Sequence, residues 1–223
     1  MTRDEVARKI CEIGVVPVVR ATSARHAQMA AEAVCAGGIP IAEVTMTVPG
    51  AIELIAQLAN HIGSEVLIGA GTVLDAPTAT RCLDAGAQFV VSPGFDPETI
   101  RFVKSRDVLM MAGALTPTEV ISAWKAGSDF VKIFPCGSMG GAKYIKALKG
   151  PLPHVPMIPT GGVNLETAAD LIRAGAEALG IGGELVSAAA LASGNTKPIT
   201  AAARNYVDIV KETRKQIGRK TTP

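Results

Sequence analysis

Residues 116–135 read Thr-Pro-Thr-Glu-Val-Ile-Ser-Ala-Trp-Lys-Ala-Gly-Ser-Asp-Phe-Val-Lys-Ile-Phe-Pro, a complete helix–strand unit with its punctuation. Thr116, followed by Pro117 and three positions on by Glu119, is a capping box with proline at the first helical position, where its missing N–H is not needed. Ala126-Gly127 closes the helix, because glycine tolerates the left-handed conformation at a helix C-terminus. Residues 129–134 then form a short, apolar, β-prone run that Pro135 ends. One residue in that run is out of character. Lys132 places an amine inside a buried strand, which costs free energy unless the amine is paired, loses its charge, does chemistry or reaches water at the barrel edge.

The same unit recurs on both sides. Ala-Gly closures fall at Gly37, Gly86, Gly127 and Gly175, each shortly before a strand, and Asp75-Ala76-Pro77 and Asp96-Pro97-Glu98 open helices as Thr116-Pro117 does. The spacing predicts helices over 3–13, 23–36, 51–62, 75–85, 96–105, 116–126, 142–148 and 164–174. Strands are predicted over 15–19, 39–45, 66–70, 88–92, 108–112, 129–134, 156–159 and 178–182, with helix from 185 onward. Eight strands alternating with helices give a single α/β domain over 1–223, a (β/α)8 TIM barrel with an N-terminal helix in 1–14 and a frayed tail at 218–223. The alternative, a doubly wound open sheet, is weakened by the strand count and by the lack of a G-x-G-x-x-G turn after the first strand.

A net charge of +2 on 223 residues offers no nucleic-acid surface. No apolar run is long enough to cross a membrane, and the charged start Met1-Thr2-Arg3-Asp4-Glu5 lacks a signal core. Cys11, Cys35, Cys82 and Cys136 form no C-x-x-C pair and read as reduced, packed thiols of a cytoplasmic protein. His26, His61 and His154 fall on helices or loops without ligand spacing, so neither a metal nor another cofactor is expected.

Barrel chemistry sits at the C-terminal ends of strands and on the loops that follow. Those ends carry Arg20, Glu43, Thr45, Thr47, Thr72, Pro93, Lys132, Phe134 and Thr160, together with Gly161-Gly162 and Gly182-Gly183. Glu43 is a second ionisable group in an apolar run and can face Lys132 across the lumen, either as a plain buried ion pair or as a catalytic one. A neutral lysine amine attacks a carbonyl to form a Schiff base, and a nearby carboxyl can move the protons. Glycine turns after strands seven and eight suit an anion such as phosphate, although glycine there also serves tight turns.

Six ordered stretches carry a family resemblance: Glu43-Val44-Thr45, Gly69-Ala70-Gly71-Thr72-Val73, Val91-Ser92-Pro93-Gly94, Val131-Lys132-Ile133-Phe134-Pro135, Pro159-Thr160-Gly161-Gly162-Val163 and Gly180-Ile181-Gly182-Gly183. The chain resembles the bacterial 2-dehydro-3-deoxy-6-phosphogluconate aldolase / 4-hydroxy-2-oxoglutarate aldolase family from about Val15 to the C-terminal helix. The resemblance implies a metal-independent class I aldolase of carbohydrate metabolism (the Entner-Doudoroff route) and a homotrimer. It implies that Lys132 forms the Schiff base and Glu43 acts as acid and base through a bound water. Thr72 and Thr160 would hold the substrate, Pro93 and Phe134 shape the pocket, and Gly161, Gly162, Gly182 and Gly183 bind the phosphate. A phosphate-binding isomerase or epimerase, or a non-catalytic oligomeric barrel, are the other readings.

Two positions depart from the family pattern. Thr47 stands where many members carry an arginine that grips the pyruvate carboxylate, and a hydroxyl cannot replace a bidentate guanidinium. Arg20 is the expected substitute. Glu184 stands where some members carry serine beside the phosphate. It either complements the dipole of the following helix from its first turn, or points inward, where it disfavours a phosphate.

Overall fold

Each strand lies parallel to its neighbours in one eight-membered sheet, in the order β7-β6-β5-β4-β3-β2-β1-β8. The computed structural model describes residues 1–63 and 65–218. Its strands are β1 (Val15–Val19), β2 (Ile41–Thr45), β3 (Leu67–Gly71), β4 (Phe89–Val91), β5 (Leu109–Ala114), β6 (Phe130–Ile133), β7 (Met157–Pro159) and β8 (Leu179–Ile181). The sheet closes between β7 and β8 through one bridge, Thr160 to Gly180, and a bond from the Glu177 N–H to the Met157 carbonyl at 2.9 Å. The result is the expected TIM barrel. Every strand residue is buried, because one face points into the lumen and the other meets the helices.

The outer ring comprises α2 (Ala24–Ala36), α3 (Ala51–Ile62), α4 (Ala76–Asp84), α5 (Pro97–Ser105), α6 (Pro117–Lys125), α7 (Ala142–Lys149), α8 (Ala168–Arg173), α9 (Ala188–Ala192) and α10 (Lys197–Gln216), while α1 (Arg3–Ile13) precedes β1. The helix caps act as the sequence implies. Asp75 accepts from the Thr78 N–H at 2.7 Å and Asp96 from the Thr99 N–H at 2.9 Å, and Thr116 and Glu119 cap α6 reciprocally. Helix α1 buries Val6 and Ile10 and is tied to the N-terminal end of the barrel. Arg3 reaches Asp129 at 3.7 Å, and the Lys9 amine donates to the Glu65 carbonyl at 3.0 Å. At the far end of the chain, the buried Arg214 of α10 donates to the carbonyls of Cys11, Glu12 and Glu177. It thereby binds the last helix to the first and to the approach to β8.

Three local expectations are corrected. The eighth helix starts at Ala168 rather than 164, because the Asn164 side chain accepts from the Glu166 and Thr167 N–H groups and holds a turn there. Residues from 185 onward are two helices, separated where Ser193-Gly194 ends α9. At the close of α2 it is Gly38 (φ 92°), not Gly37 (φ −85°), that takes the left-handed conformation. A short 3-10 turn over Gly137–Met139 follows β6. The expected frayed tail falls, beyond Gly218, outside the described residues.

Candidate active site

Lys132 on β6 and Glu43 on β2 meet across the lumen, since these strands are not neighbours in the sheet. The Lys132 Nζ lies 3.8 Å from Glu43 Oε1, and the two residues are only 4% and 2% exposed. That separation is an ion-pair contact but too long for a hydrogen bond. Glu43 Oε1 accordingly has no hydrogen-bond partner among the described residues. A buried pair of this kind is held at a desolvation cost and contributes little net stability. Burial pushes the Glu43 carboxyl above the ordinary carboxylate range, and the charges of Lys132 and Arg20 oppose that rise. A carboxyl so placed holds a proton more readily than a solvated one, which suits an acid–base group.

Missing side chains make room for this pair. A Cβ on Gly71 would stand 2.0 Å from Glu43 Oε1, and one on Gly69 would stand 2.2 Å from the Phe89 ring. Across the seam, a Cβ on Gly180 would stand 2.1 Å from the Thr160 hydroxyl. Gly71 and Gly180 therefore leave the space that the Glu43 and Thr160 side chains occupy. Their signal in the sequence was glycine at inward strand positions, but which side chain each one admits depends on neighbouring strands.

The Phe134 ring faces the amine, with Lys132 Nζ 5.5 Å from its centroid. Phe134 also lines a cavity of about 120 Å3, together with Arg20, Thr160, Gly161-Gly162, Gly182-Gly183 and Glu184. The structure thus brings most of the expected pocket residues to one mouth. The N–H groups of Gly162, Val163 and Gly183 donate to no acceptor among the described residues and remain available to an anion.

Thr47 sits apart from this cavity. Thr45 donates its one hydroxyl proton to the Val19 carbonyl at 3.1 Å, so in the 2.7 Å contact between the two threonines Thr47 is the donor. Thr47 then has lone pairs but no proton to offer a carboxylate. It lines, with Arg20, Thr22, His26 and Leu191, a larger cavity of about 410 Å3 beside the mouth. Arg20 is exposed and common to both cavities. Thr72 lines a third depression with Met46 and Val48, and its φ of 58° is a left-handed conformation that a β-branched residue rarely adopts. The Pro93 backbone packs over Gly113, the β5 partner of Lys132.

Glu184 is not in the first turn of a helix. Helix α9 begins at Ala188 with Ser187 as its cap, accepting from the Ala190 N–H, so Glu184 stands in the preceding turn at the wall of the mouth cavity.

A family model described as "Aldolase: KDPG and KHG aldolase" matches residues 6–202. The 2-dehydro-3-deoxy-phosphogluconate aldolase of Treponema pallidum is 36% identical over 199 residues, which cover 89% of this chain and 94% of that protein. The KHG/KDPG aldolase of Escherichia coli K12 is 34% identical, over 88% of this chain and 92% of its own. Among solved structures, the KDPG aldolase of Legionella pneumophila, with pyruvate captured as a covalent carbinolamine intermediate, superposes with a TM-score of 0.81 at 30% identity. The match covers 88% of this chain and 96% of that one.

Proposed function

The chain belongs to the KDPG and KHG aldolase family, and from that membership we propose that it is a class I aldolase that cleaves a 2-keto-3-deoxy sugar acid, such as 2-dehydro-3-deoxy-6-phosphogluconate or 4-hydroxy-2-oxoglutarate, to pyruvate and an aldehyde. The observation that carries this reading is the buried Lys132–Glu43 pair, 3.8 Å apart in the lumen. The neutral amine of Lys132 attacks the C2 ketone, and loss of water leaves an iminium. Glu43, directly or through one water, removes the proton of the C4 hydroxyl. The C3–C4 bond breaks, the aldehyde departs, and the bonding pair becomes the C2=C3 bond of an enamine as the iminium π pair moves onto nitrogen. Protonation at C3 and hydrolysis of the iminium then release pyruvate and restore the lysine.

Arg20 holds the pyruvate carboxylate, a role supported by its charge at the mouth and by the committed proton of Thr47. Thr160 orients the bound acid, Phe134 forms a pocket wall, and the N–H groups around Gly161-Gly162 and Gly182-Gly183 take the far end of the substrate; the family resemblance alone supports Thr72 as a further substrate contact and Pro93 as a further wall. The resemblance further supports a homotrimer, which light scattering of the purified protein tests. For the central claim, the protein is incubated with labelled pyruvate and reduced with borohydride. Covalent label on Lys132, lost in Lys132→Met, is expected. A folded protein that takes no label would turn the reading towards an isomerase or a non-catalytic barrel.

A further inference from the structure

The mouth cavity holds two opposite charges that are not paired with each other. Arg20 and Glu184 both line it and are both exposed, yet no ion pair or hydrogen bond of either side chain is formed among the described residues. Glu184 directly follows Gly182-Gly183, where the end of the substrate remote from Lys132 would rest. It lies outside α9, so no helix dipole accounts for it. Its charge reaches the buried Tyr206, whose phenol is pushed up to about 12, first by burial and then by Glu184. That phenol stays neutral and supplies no countercharge.

From this bipolar cavity we infer that Glu184 sets the substrate class, favouring 2-keto-3-deoxy acids that end in a hydroxyl over those that end in a phosphate. The inference rests on the aldolase reading and refines it. A phosphorylated acid brings a carboxylate and a phosphate, close to three negative charges at neutral pH. The cavity meets them with one guanidinium and opposes them with one carboxylate, while Lys132 is engaged at the ketone carbon and does not line the cavity. A single guanidinium cannot grip both ends of an extended acid. With Arg20 on the carboxylate, a phosphate seated on the glycine turns would face Glu184 across the cavity, a like-charge contact. A terminal hydroxyl instead donates a charge-assisted hydrogen bond to that carboxylate. The glycine N–H groups also donate to a hydroxyl oxygen, though more weakly than to an anion.

The test compares 2-keto-3-deoxygluconate with its 6-phosphate, following pyruvate release by coupling to lactate dehydrogenase. The wild type is set beside Glu184→Gln and Glu184→Ala, whose exposed site makes both tolerable to the fold. The wild type is expected to show at least about tenfold higher kcat/KM on the unphosphorylated acid, roughly the effect of one unfavourable contact of this kind. Both variants are expected to move the ratio about tenfold towards the phosphate ester, chiefly through KM, with borohydride labelling by pyruvate unchanged. A wild-type preference for the phosphate ester, or a ratio that neither variant moves, overturns the inference while normal labelling leaves the aldolase reading standing. Absence of both label and cleavage overturns that reading and the inference with it.

Discussion

Gly71→Ala is the sharpest probe of how the barrel holds its acid–base group. Gly71 does not have a positive φ, so alanine fits the backbone and only space is at issue. The new methyl carbon would lie 2.0 Å from Glu43 Oε1 and 2.6 and 2.7 Å from its Cγ and Cδ. Relief to ordinary contact requires the carboxylate to retreat on the order of 1 Å, in an interior without spare volume. Overpacking of this kind costs about 1–3 kcal/mol. A displacement of that size at a proton-transfer group lowers kcat about 100-fold. Urea unfolding should register the first effect, and steady-state pyruvate release the second, with KM little altered. Gly69→Ala is the control. Its methyl would collide with the Phe89 ring at 2.2 Å rather than with Glu43. It should lose comparable stability while keeping kcat within a few-fold. Wild-type kcat in Gly71→Ala would refute the claim that glycine at this position seats the carboxyl, and equal kcat losses in the two variants would reduce it to general packing.

Three further outcomes follow from the same geometry. Arg20→Ala should raise KM for the 2-oxo acid about 10- to 100-fold, the loss of one charge-assisted contact, and an unchanged KM would sink that role. Glu43→Gln should alter the pH dependence of stability. Because the folded carboxyl is raised above its ordinary value of 4.5, its contribution is fully present below 4.5 and is lost as pH rises through the folded value. The unfolding free energy of wild type minus Glu43→Gln should therefore fall over that window, and a flat or rising difference would contradict the burial argument. Arg214→Ala removes a cation that bonds three backbone carbonyls at 2.7, 3.1 and 2.7 Å. A loss of about 3 kcal/mol, on the order of 10 °C in Tm, is expected, with Lys132 labelling retained at low temperature; a shift below 2 °C would show that solvent replaces those bonds.

Much of the barrel is legible because its signals are local. Proline at the start punctuates α4, α5 and α6, and glycine after alanine closes α4 and α6 where the backbone itself demands it. Lys132 and Glu43 stand out for a related reason: an ionisable group in an apolar run is improbable unless another group answers it. What escapes the linear reading depends on distant partners or on competition within a loop. Asn164 could cap a helix or hold a turn, and the start of α8 at Ala168, beyond the Glu166 and Thr167 N–H groups that Asn164 binds, shows that it holds a turn. Glu184 resembles a first-turn acid until Ser187 proves to be the cap. Gly71 and Gly180 look like ordinary strand glycines, since Glu43 and Thr160 approach them only once neighbouring strands are in register.

The seam between β7 and β8 gives the barrel a clasp. Every other neighbouring pair of strands is joined at two or more registered positions, whereas among the described residues Thr160 and Gly180 form the one bridge here. The two strands with the fewest mutual bonds are also those that carry the two glycine turns. Any widening of the hoop is concentrated between Gly161-Gly162 and Gly182-Gly183, which makes their separation the most compliant dimension of the mouth. A ligand that bridges both turns therefore fastens the barrel as well as occupying it. Part of its binding free energy appears as resistance of the whole fold to opening, and slower amide exchange at Thr160 and Ile181 would be its signature.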